Sequence, residues 1–300
     1  TTLFRSHLFD QDFEFDADLA DVCGRGFGGN GVGFAIEFLH QKVQASSHRT
    51  GAVHYPFDFG QVGIETVDFF VNEGSPEEIW AYIHTVQDNP GVNGSLATFH
   101  HVNGRGGDVV VSEDLLENGF GEIITDDQQA AIDAEGLTAV DLRFTQLTST
   151  QEGSPTIFIE KDEDFGNNAD DAPIHRLAQF LLMRAEALAR TDGINDESLA
   201  LLNAVRTRAL RVVDADGNVD PKSDELVSYE AGDFASADEL IEAIILERRV
   251  ELAFEGSRLF DLQRLRRNIK DKSWEDPLVT WAIPQRDLDA NANLVQNPGY

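Results

Sequence analysis

The sequence predicts a mainly α-helical protein with tetratricopeptide-like helical hairpins and with loop-rich and short β-strand insertions. Three observations in the C-terminal half lead to this fold class. Apolar side chains recur at helical spacing after Pro173, again after Glu197 and again after Ser236. Only a short turn that contains Gly193 separates the first two segments, and two helices joined in this way form a helical hairpin.

The N-terminal part of the chain gives weaker signals. Residues 1–72 are rich in Phe, Gly and Asp and form a loop-rich segment whose assignment stays open. Within it, residues 34–45 have the spacing of one short amphipathic helix. From 73 to 111 short apolar stretches alternate with Gly- and Asn-rich turns, which predicts strands and turns. We therefore treat residues 73–300 as one C-terminal region.

The helical core of that region is expected within residues 173–270. Its first helix is predicted over 173–190, because Pro173 suits a helix start and apolar side chains follow on one broad face. Its second helix is predicted over 197–210, after a turn in which Gly193 suits the position just beyond a helix end.

The third helix of the core is predicted to start at Ser236. Glu239 lies three residues later, which is the spacing of a capping box. Apolar residues then continue to Leu265, and Gly256 is expected to interrupt the helix because glycine costs about 1 kcal/mol inside one. Residues 281–300 are too rich in Asn and Pro to be helical throughout.

The chain is strongly acidic. Its 300 residues contain 54 Asp and Glu against 23 Lys and Arg, a formal net charge of −31. A field of this sign repels phosphate backbones, so nucleic acid is not an expected partner. Strong self-repulsion is better tolerated at high salt, from which we infer a salty external environment as a hypothesis. The single cysteine, Cys23, excludes an internal disulfide framework.

Several motifs in the second half occur together and in one order. Residues 247–264 read ERRVELAFEGSRLFDLQR, residues 176–188 read RLAQFLLMRAEAL and residues 202–209 read LNAVRTRA. The chain closes on IPQ at 283–285 and QNPGY at 296–300. Together these segments resemble the signature of SusD/RagB-like proteins, a family of outer-membrane nutrient-binding lipoproteins, with Gln179 in place of the usual Glu.

Upstream the similarity is thinner. Residues 75–80, SPEEIW, resemble a strand of the family, and Asp141-Leu-Arg143 resembles its D-x-R motif. The resemblance thus covers residues 140–300 well and reaches to about residue 73. It implies that the chain is the C-terminal portion of a family member, with an unusually short member as the alternative.

The resemblance also implies a function. Family members lie on the outer leaflet as a lid over a TonB-dependent, SusC-like transporter and capture oligosaccharides or peptides without acting as enzymes. It implies an extracellular face of the outer membrane and a lipid anchor in a region that is not present in this chain. An extracellular glycan hydrolase and a helical-repeat structural adaptor are the alternatives that we keep.

The signature itself is expected to be a scaffold. Glu251, Glu255, Arg258, Asp261 and Arg264 lie at three- and four-residue spacings that let opposite charges pair along a helix. The large apolar residues between them indicate a core element, so we do not expect a ligand site there.

Four aromatic residues are the candidate ligand-binding residues. Sugars present apolar C–H faces that stack on aromatic rings, so exposed aromatic side chains are the pattern to look for. The candidates are Tyr55, Trp80, Tyr82 and Trp274, each of which could instead be structural.

A calcium loop is the one cofactor hypothesis. Asp214, Asp216 and Asn218 alternate, and Glu225 stands in twelfth place, as in a loop that surrounds calcium. Val219 replaces the glycine that such a loop needs for its sharp turn, so a solvated acidic connector is the alternative. No other cofactor is expected.

Catalytic motifs have no positive support in the sequence. The GFGGNG stretch at 26–31 fits a dinucleotide pattern but lacks the apolar strand that must precede it. His100 and His101 have no carboxylate or cysteine companions at metal-ligand spacing and are expected in a loop.

Overall fold

A computed structural model describes residues 75, 77–105 and 108–300, together with the backbone of the strand Phe4–Arg5. The predicted helix at 34–45, the GFGGNG stretch, Cys23 and Tyr55 lie outside the described residues.

Helices predominate in this part of the chain, which confirms the predicted fold class. The α-helices are α1 (Leu96–His100), α2 (Glu113–Asn118), α3 (Asp126–Ala134), α4 (Leu142–Gln146), α5 (Leu177–Asp192), α6 (Asp196–Ala209), α7 (Ser223–Val227), α8 (Ala237–Glu251), α9 (Ser257–Arg264) and α10 (Gln285–Ala290). The strands are β1 (Phe4–Arg5), β2 (Glu78–Tyr82), β3 (Thr138–Asp141), β4 (Thr148–Thr150), β5 (Ile157–Ile159), β6 (Ala172–Arg176) and β7 (Leu210–Val213).

Helices α5 and α6 form the predicted hairpin, and α8 packs against α5. The turn between α5 and α6 contains Gly193 at φ 75°. Asn195 caps α6 by accepting a hydrogen bond from the Ser198 backbone N–H (2.8 Å). The faces that the helices turn towards one another are apolar and fully buried, as Leu182 of α5, Leu202 of α6 and the α8 residues Leu240 and Ile244 show. Burial of such side chains stabilises the core by about 1.5–3 kcal/mol each.

The predicted start of the first helix at Pro173 is wrong. Residues Ala172–Arg176 form β6, which pairs antiparallel with β2 and brings Trp80 opposite His175. The helix begins only at Leu177, whose backbone N–H donates to the Glu77 carbonyl (2.8 Å). Pro173 has no N–H to donate, and it lies at the beginning of a strand, where proline is tolerated.

The third predicted helix is divided in two. Ser236 accepts the Glu239 backbone N–H at 3.3 Å, as the predicted cap requires. Helix α8 ends at Glu251, before Phe254 (φ 67°) and Gly256 (φ 75°) adopt left-handed conformations. The break predicted at Gly256 is confirmed, but it begins earlier because Phe254 also leaves the helical region.

Strand β1 pairs antiparallel with β2 in the first sheet, and two further antiparallel pairs form separate two-stranded sheets. Strand β3 pairs with β7, which places Asp141 opposite Leu210, and β4 pairs with β5. Helix α1 lies within 73–111, where only strands and turns were predicted. A second apolar cluster lies around the β3–β7 pair; its buried members are Ile123, Ile132, Leu210, Val212, Val227 and Val250.

Contacts divide the chain into two compact units, 1–251 and 252–300. In the second unit, hydrogen bonds join the two closing motifs of the sequence, 283–285 and 296–300. Gln296 donates to the carbonyl of Ile283 (2.9 Å) and accepts its N–H (2.8 Å), and Asn297 donates to the Trp281 carbonyl (2.6 Å). The division at residue 72 stays a prediction, because the structure does not describe residues 51–74.

Within the described ranges, no helix has both the length and the apolar character that a bilayer crossing requires.

Candidate functional site

A cavity of about 210 Å³ lies in the first unit, beside α1 and the end of β2. Its polar lining consists of His84, Ser95, Asp162 and Asp170. Pockets for drug-sized molecules measure about 300–1,000 Å³, so this one suits a smaller group such as one ring or side group of a longer ligand.

The chain positions His84 through two hydrogen bonds to the loop 160–171, which joins β5 to β6 and is called the acidic loop below. The His84 backbone N–H donates to the Asp171 carboxylate (2.8 Å), and His84 Nδ1 donates to the Asp170 carbonyl (2.7 Å). Because Nδ1 is the donor, Nε2 of the neutral ring is an acceptor.

Asp162 is held by a histidine of α1. His100 Nδ1 donates to Asp162 Oδ2 at 2.9 Å, and both side chains are buried. A second bond, from Thr98 Oγ1 to Asn168 Oδ1 (2.8 Å), also joins α1 to the acidic loop. These contacts fix one wall of the cavity relative to the other.

Asp170 has a strongly perturbed carboxyl group. Burial raises the pKa of Asp170 to about 6, a hydrogen bond from the Asp164 backbone N–H partly opposes this, and the charges of Asp162, Asp164 and Glu163 raise the pKa further. Perturbed carboxyl groups in clefts occur at binding and catalytic sites more often than elsewhere, so the cavity is the leading site candidate.

An aromatic stripe next to the cavity comprises Trp80, Tyr82 and His175 of the sheet and Phe180 of α5. The ring centroids of Trp80 are 6.4 Å from Tyr82 and 5.8 Å from His175, and His175 is 5.7 Å from Phe180. Trp80 and Tyr82 lie side by side, although the register of β2 against β6 shifts between Trp80 and Ala81. Tyr82 pairs with Ala172, which itself lines the cavity, so the stripe ends at the cavity wall.

The structure thus brings two of the four predicted ligand-binding residues together. Trp80 and Tyr82 are half-buried members of the stripe. Trp274 lies in the second unit with the Arg266 guanidinium carbon 5.2 Å from its ring centroid. Tyr55 lies outside the described residues. Their roles in ligand binding remain predictions.

The predicted calcium residues form a tight turn after β7. Asp214 Oδ1 accepts the backbone N–H groups of Asp216 and Asn218, each at 2.9 Å, and these bonds, led by those from Asn218, lower the pKa of Asp214. Glu225 lies in the first turn of α7. Among the residues that the structure describes, no group of three or more His, Cys, Asp or Glu side chains is arranged to hold a metal ion. Calcium binding therefore stays a prediction. In the structure, Asp214 stabilises the turn by accepting its backbone N–H groups.

Sequence reasoning missed the polar cavity residues. His100 and His101 were expected in a loop without carboxylate companions, but His100 lies in α1 and bonds Asp162, and His101 Nε2 lies 2.8 Å from Glu160. These partners are about sixty residues away in the sequence. The dense run of acids from 160 to 171 was the one local signal that pointed to this region.

The signature motifs converge elsewhere, on a buried ion network under α8. Glu247, fully buried, accepts from Arg143 (2.6 Å) through one oxygen and from Arg206 (2.9 Å) through the other. Arg143 also pairs with Asp141 (2.7 Å). Burial by itself would lower the pKa of Arg143, but the charges of Asp141, Glu247 and Glu251 raise it well above its ordinary value.

Glu251 is the second centre of the network. Its carboxylate accepts from Arg176 (2.5 Å) and from Arg208, and Arg208 also pairs with Glu77. Burial by itself would raise the pKa of Glu251, but the guanidinium groups of Arg208, Arg176 and Arg143 hold it well below its ordinary value.

Among the described residues, the network pairs carboxylates with as many guanidinium groups, and Lys161 adds a positive charge near Glu251. Its four carboxylates are Glu77, Asp141, Glu247 and Glu251, and its four guanidinium groups belong to Arg143, Arg176, Arg206 and Arg208. The expectation that Glu251 pairs along its own helix is wrong, because its partners come from other elements. Asp261 and Arg264 do pair along α9, at 2.8 Å.

Comparisons with known proteins agree with these motifs. Residues 158–277 match the model of the SusD family. SusD-like protein P2 of Formosa agariphila is 29% identical over 150 residues, which are 45% of this chain and 28% of that protein. Residues 158–277 are thus similar to the SusD family, which confirms the resemblance over this region.

Solved structures extend the similarity in fold. A SusD superfamily protein from Bacteroides vulgatus superposes with a TM-score of 0.55 at 18% identity, over 90% of this chain and 56% of that one. A SusD superfamily protein from Bacteroides fragilis gives 0.52 at 22% identity, over 85% and 52%. The chain thus spans about half the length of these structures.

Proposed function

We propose that this protein captures glycans by reversible, non-covalent binding, with the aromatic stripe and the neighbouring cavity as its binding site. The family to which residues 158–277 are similar is one of glycan-binding outer-membrane proteins, which supports this class of function. The proposal extends the class to this chain and assigns it a site.

One observation carries the proposal: an aromatic stripe leads into a cavity that is lined by hydrogen-bonding side chains. A pyranose ring has an apolar C–H face, which stacks on the rings of Trp80 and Tyr82, and hydroxyl groups, which donate to carboxylates. Asp162 and Asp170 supply such carboxylates at the end of the stripe. A site of this kind orients a sugar and retains it without a chemical step.

The test is binding of a panel of neutral oligosaccharides, measured by isothermal titration calorimetry. We expect Trp80→Ala to weaken the binding of a ligand found in the panel by roughly tenfold, since loss of one stacked ring removes about 1 kcal/mol or more. Trp281→Ala is the matched control, because Trp281 is 79% exposed and lies in the other unit. Trp274→Ala tests the remaining predicted residue in the same assay.

The outcome that contradicts the proposal is equally plain. If no oligosaccharide binds, or if Trp80→Ala and Trp281→Ala bind as the unchanged protein does, the stripe is not a glycan site. Tight binding of a protein partner without any small ligand would then favour the structural adaptor.

A glycan hydrolase is the second candidate, and one observation favours it. Asp162 and Asp170 line the same cavity, and a raised pKa such as that of Asp170 is a property of general acids in glycan hydrolysis. Chromatography of the same oligosaccharides after long incubation distinguishes the two. We expect no products, whereas products that disappear in Asp170→Asn would establish hydrolysis.

We propose the outer face of the outer membrane as the location and a TonB-dependent, SusC-like transporter as the partner, both on the ground of the similarity to the SusD family. Affinity purification of the full-length protein from its native membranes tests both. Co-purification of a transporter of that class supports the assignment. Recovery of the protein in the soluble intracellular fraction instead of the outer-membrane fraction contradicts it.

A further inference from the structure

We propose that the cavity binds the ammonium group of an amino sugar, so that the protein prefers glycans with free amines over neutral or anionic ones. This inference rests on the proposed glycan site and names the substrate class that the cavity selects. It follows from Ser95, a buried residue whose hydroxyl has no partner among the described residues, from the chemistry of the lining and from the position of the aromatic stripe.

Ser95 provides the observation that points to a ligand. It is 3% exposed, it directly precedes α1, and its side chain does not cap that helix. Its hydroxyl makes no hydrogen bond with any residue that the structure describes, although it lines the cavity. Buried polar groups in proteins are nearly always paired, so a hydroxyl that faces a cavity without a protein partner is suited to one on a ligand.

The rest of the polar lining is rich in acceptors. Asp162 and Asp170 offer carboxylate oxygens, and His84 Nε2 is an acceptor in the neutral ring because Nδ1 donates to the Asp170 carbonyl. Among the described residues that line the cavity there is no lysine or arginine. An ammonium group has three donors and no acceptor, so it matches this set, whereas a carboxylate or sulfate would meet like charge.

The acidic loop strengthens the preference for a cation. Asp162, Glu163, Asp164 and Asp170 lie close enough together for the first three to raise the pKa of the fourth. The only lysine of the loop, Lys161, donates to the Glu251 carbonyl (3.1 Å) and is not among the described residues that line the cavity. A bound ammonium would supply the missing positive charge.

The aromatic stripe favours a sugar over a peptide as the carrier of that ammonium. Tyr82 pairs with Ala172 at the cavity wall, so a ring that stacks on Tyr82 can place a substituent in the cavity. Its C–H face would stack on the aromatic ring, which is the contact that a sugar makes and a peptide backbone does not. A peptide with a lysine side chain is therefore an outcome that the test has to distinguish.

Calorimetry of the protein with three defined tetrasaccharides tests the proposal. The probes are β-1,4-linked tetraglucosamine, its fully N-acetylated form and tetragalacturonate, titrated in about 0.15 M NaCl so that long-range attraction is screened. We expect tetraglucosamine to bind at least tenfold more tightly than the acetylated form, because one charge-assisted hydrogen bond accounts for roughly that factor. Tetragalacturonate is expected to bind most weakly.

Two variants and one control locate the effect. Asp170→Asn and Ser95→Ala are expected to remove most of the preference for tetraglucosamine and to leave binding of the acetylated form within about twofold. Glu152→Gln removes the same charge from an exposed turn outside the cavity and should keep the preference. Circular dichroism establishes that each variant is folded before it is titrated.

The outcomes separate this inference from the proposed function. Equal binding of the amine and acetylated forms, with binding still lost in Trp80→Ala, overturns the inference and leaves the glycan site. An equal loss in Glu152→Gln and Asp170→Asn means general attraction to an acidic protein and also overturns it. Tighter binding of trilysine than of tetraglucosamine assigns the cavity to peptides, and failure of every oligosaccharide contradicts the proposed function itself.

Discussion

The buried ion network under α8 and the cavity beside α1 both collect several carboxylates, but they differ in what balances the charge. In the network four carboxylates meet four guanidinium groups, and the pKa of Glu251 is lowered. The described residues that line the cavity include no lysine or arginine, and the pKa of Asp170 is raised. Matched charges build a scaffold, whereas unmatched charges leave a site that a ligand can complete.

The largest effect should come from a change at the centre of the network. Glu247→Gln leaves Arg143 and Arg206 buried without their shared carboxylate, which we expect to reduce the free energy of unfolding by about 3–5 kcal/mol. Urea denaturation monitored by circular dichroism measures this loss. Glu197→Gln is the control, because its pair with Arg184 is exposed and such pairs contribute about 1 kcal/mol or less. Equal effects in the two variants would contradict the scaffold role.

The pH dependence of stability should also follow the network. The pKa of Glu251 in the folded protein is below its ordinary value of 4.5, so the unfolded chain takes up a proton first as pH falls. The stability that Glu251 contributes is therefore present above pH 4.5 and is lost below it, at up to about 1.4 kcal/mol for each pH unit. Urea denaturation between pH 3 and 7 should show this fall, and it should be shallower in Glu251→Gln. An unchanged slope in that variant would mean that Glu251 is not paired as described.

In the cavity, the pH dependence of stability that Asp170 contributes should have the opposite sign to that of Glu251. The pKa of Asp170 is about 6 in the folded protein against an ordinary 3.8, so the folded state binds the proton more tightly than the unfolded chain. Stability is therefore lost as pH rises from 3.8 through 6, and Asp170→Asn removes that loss. Because the side chain is half-buried, we expect a gain on the order of 1 kcal/mol at pH 7.5 and none below pH 4. A destabilised Asp170→Asn at pH 7.5 would show that the carboxylate is needed by the fold, and the contrast with Glu247 would disappear.

The sequence predicted the network region better than the cavity, for a physical reason. Helical periodicity and the signature are local patterns, so the α5–α6 hairpin, the Ser236 cap and the break at Gly256 could be read directly. The start of α5 could not be predicted in this way, because residues 172–176 form a strand by pairing with β2, about ninety residues earlier.

The cavity residues depend even more on distant contacts. His100 meets Asp162 across 62 positions, and His84 meets Asp171 across 87. Single-residue signals therefore identified Trp80 and Tyr82 as aromatic candidates but could not reveal the polar groups beside them. The partners within the network were also hidden, because Glu247 and Glu251 are separated from Arg143 by more than one hundred residues.

A smaller effect is expected from salt, which acts on the unmatched charge of the whole chain. The net charge of −31 destabilises the compact state at low ionic strength through self-repulsion, and added salt screens it. We expect Tm to rise by a few degrees, on the order of 1 kcal/mol, between low salt and about 1 M NaCl. Glu247→Gln should show the same rise as the unchanged protein, since the buried network is shielded from salt. A Tm that does not depend on NaCl would remove the support for a salty environment.

The smallest effect should come from the acidic turn after β7, where backbone N–H groups rather than arginines or a ligand balance the carboxylate. Asp214 Oδ1 accepts the N–H groups of Asp216 and Asn218, so Asp214→Ala should lower Tm, and the loss should be the same in calcium and in EDTA. The calcium hypothesis predicts instead that CaCl2 raises Tm and that Glu225→Gln abolishes the rise. Differential scanning calorimetry of the three proteins with and without CaCl2 distinguishes the two. A calcium-dependent rise in Tm would mean that this turn, like the cavity, is an acidic site that a cation completes. No rise would mean that its carboxylates, like those of the network, are paired within the protein.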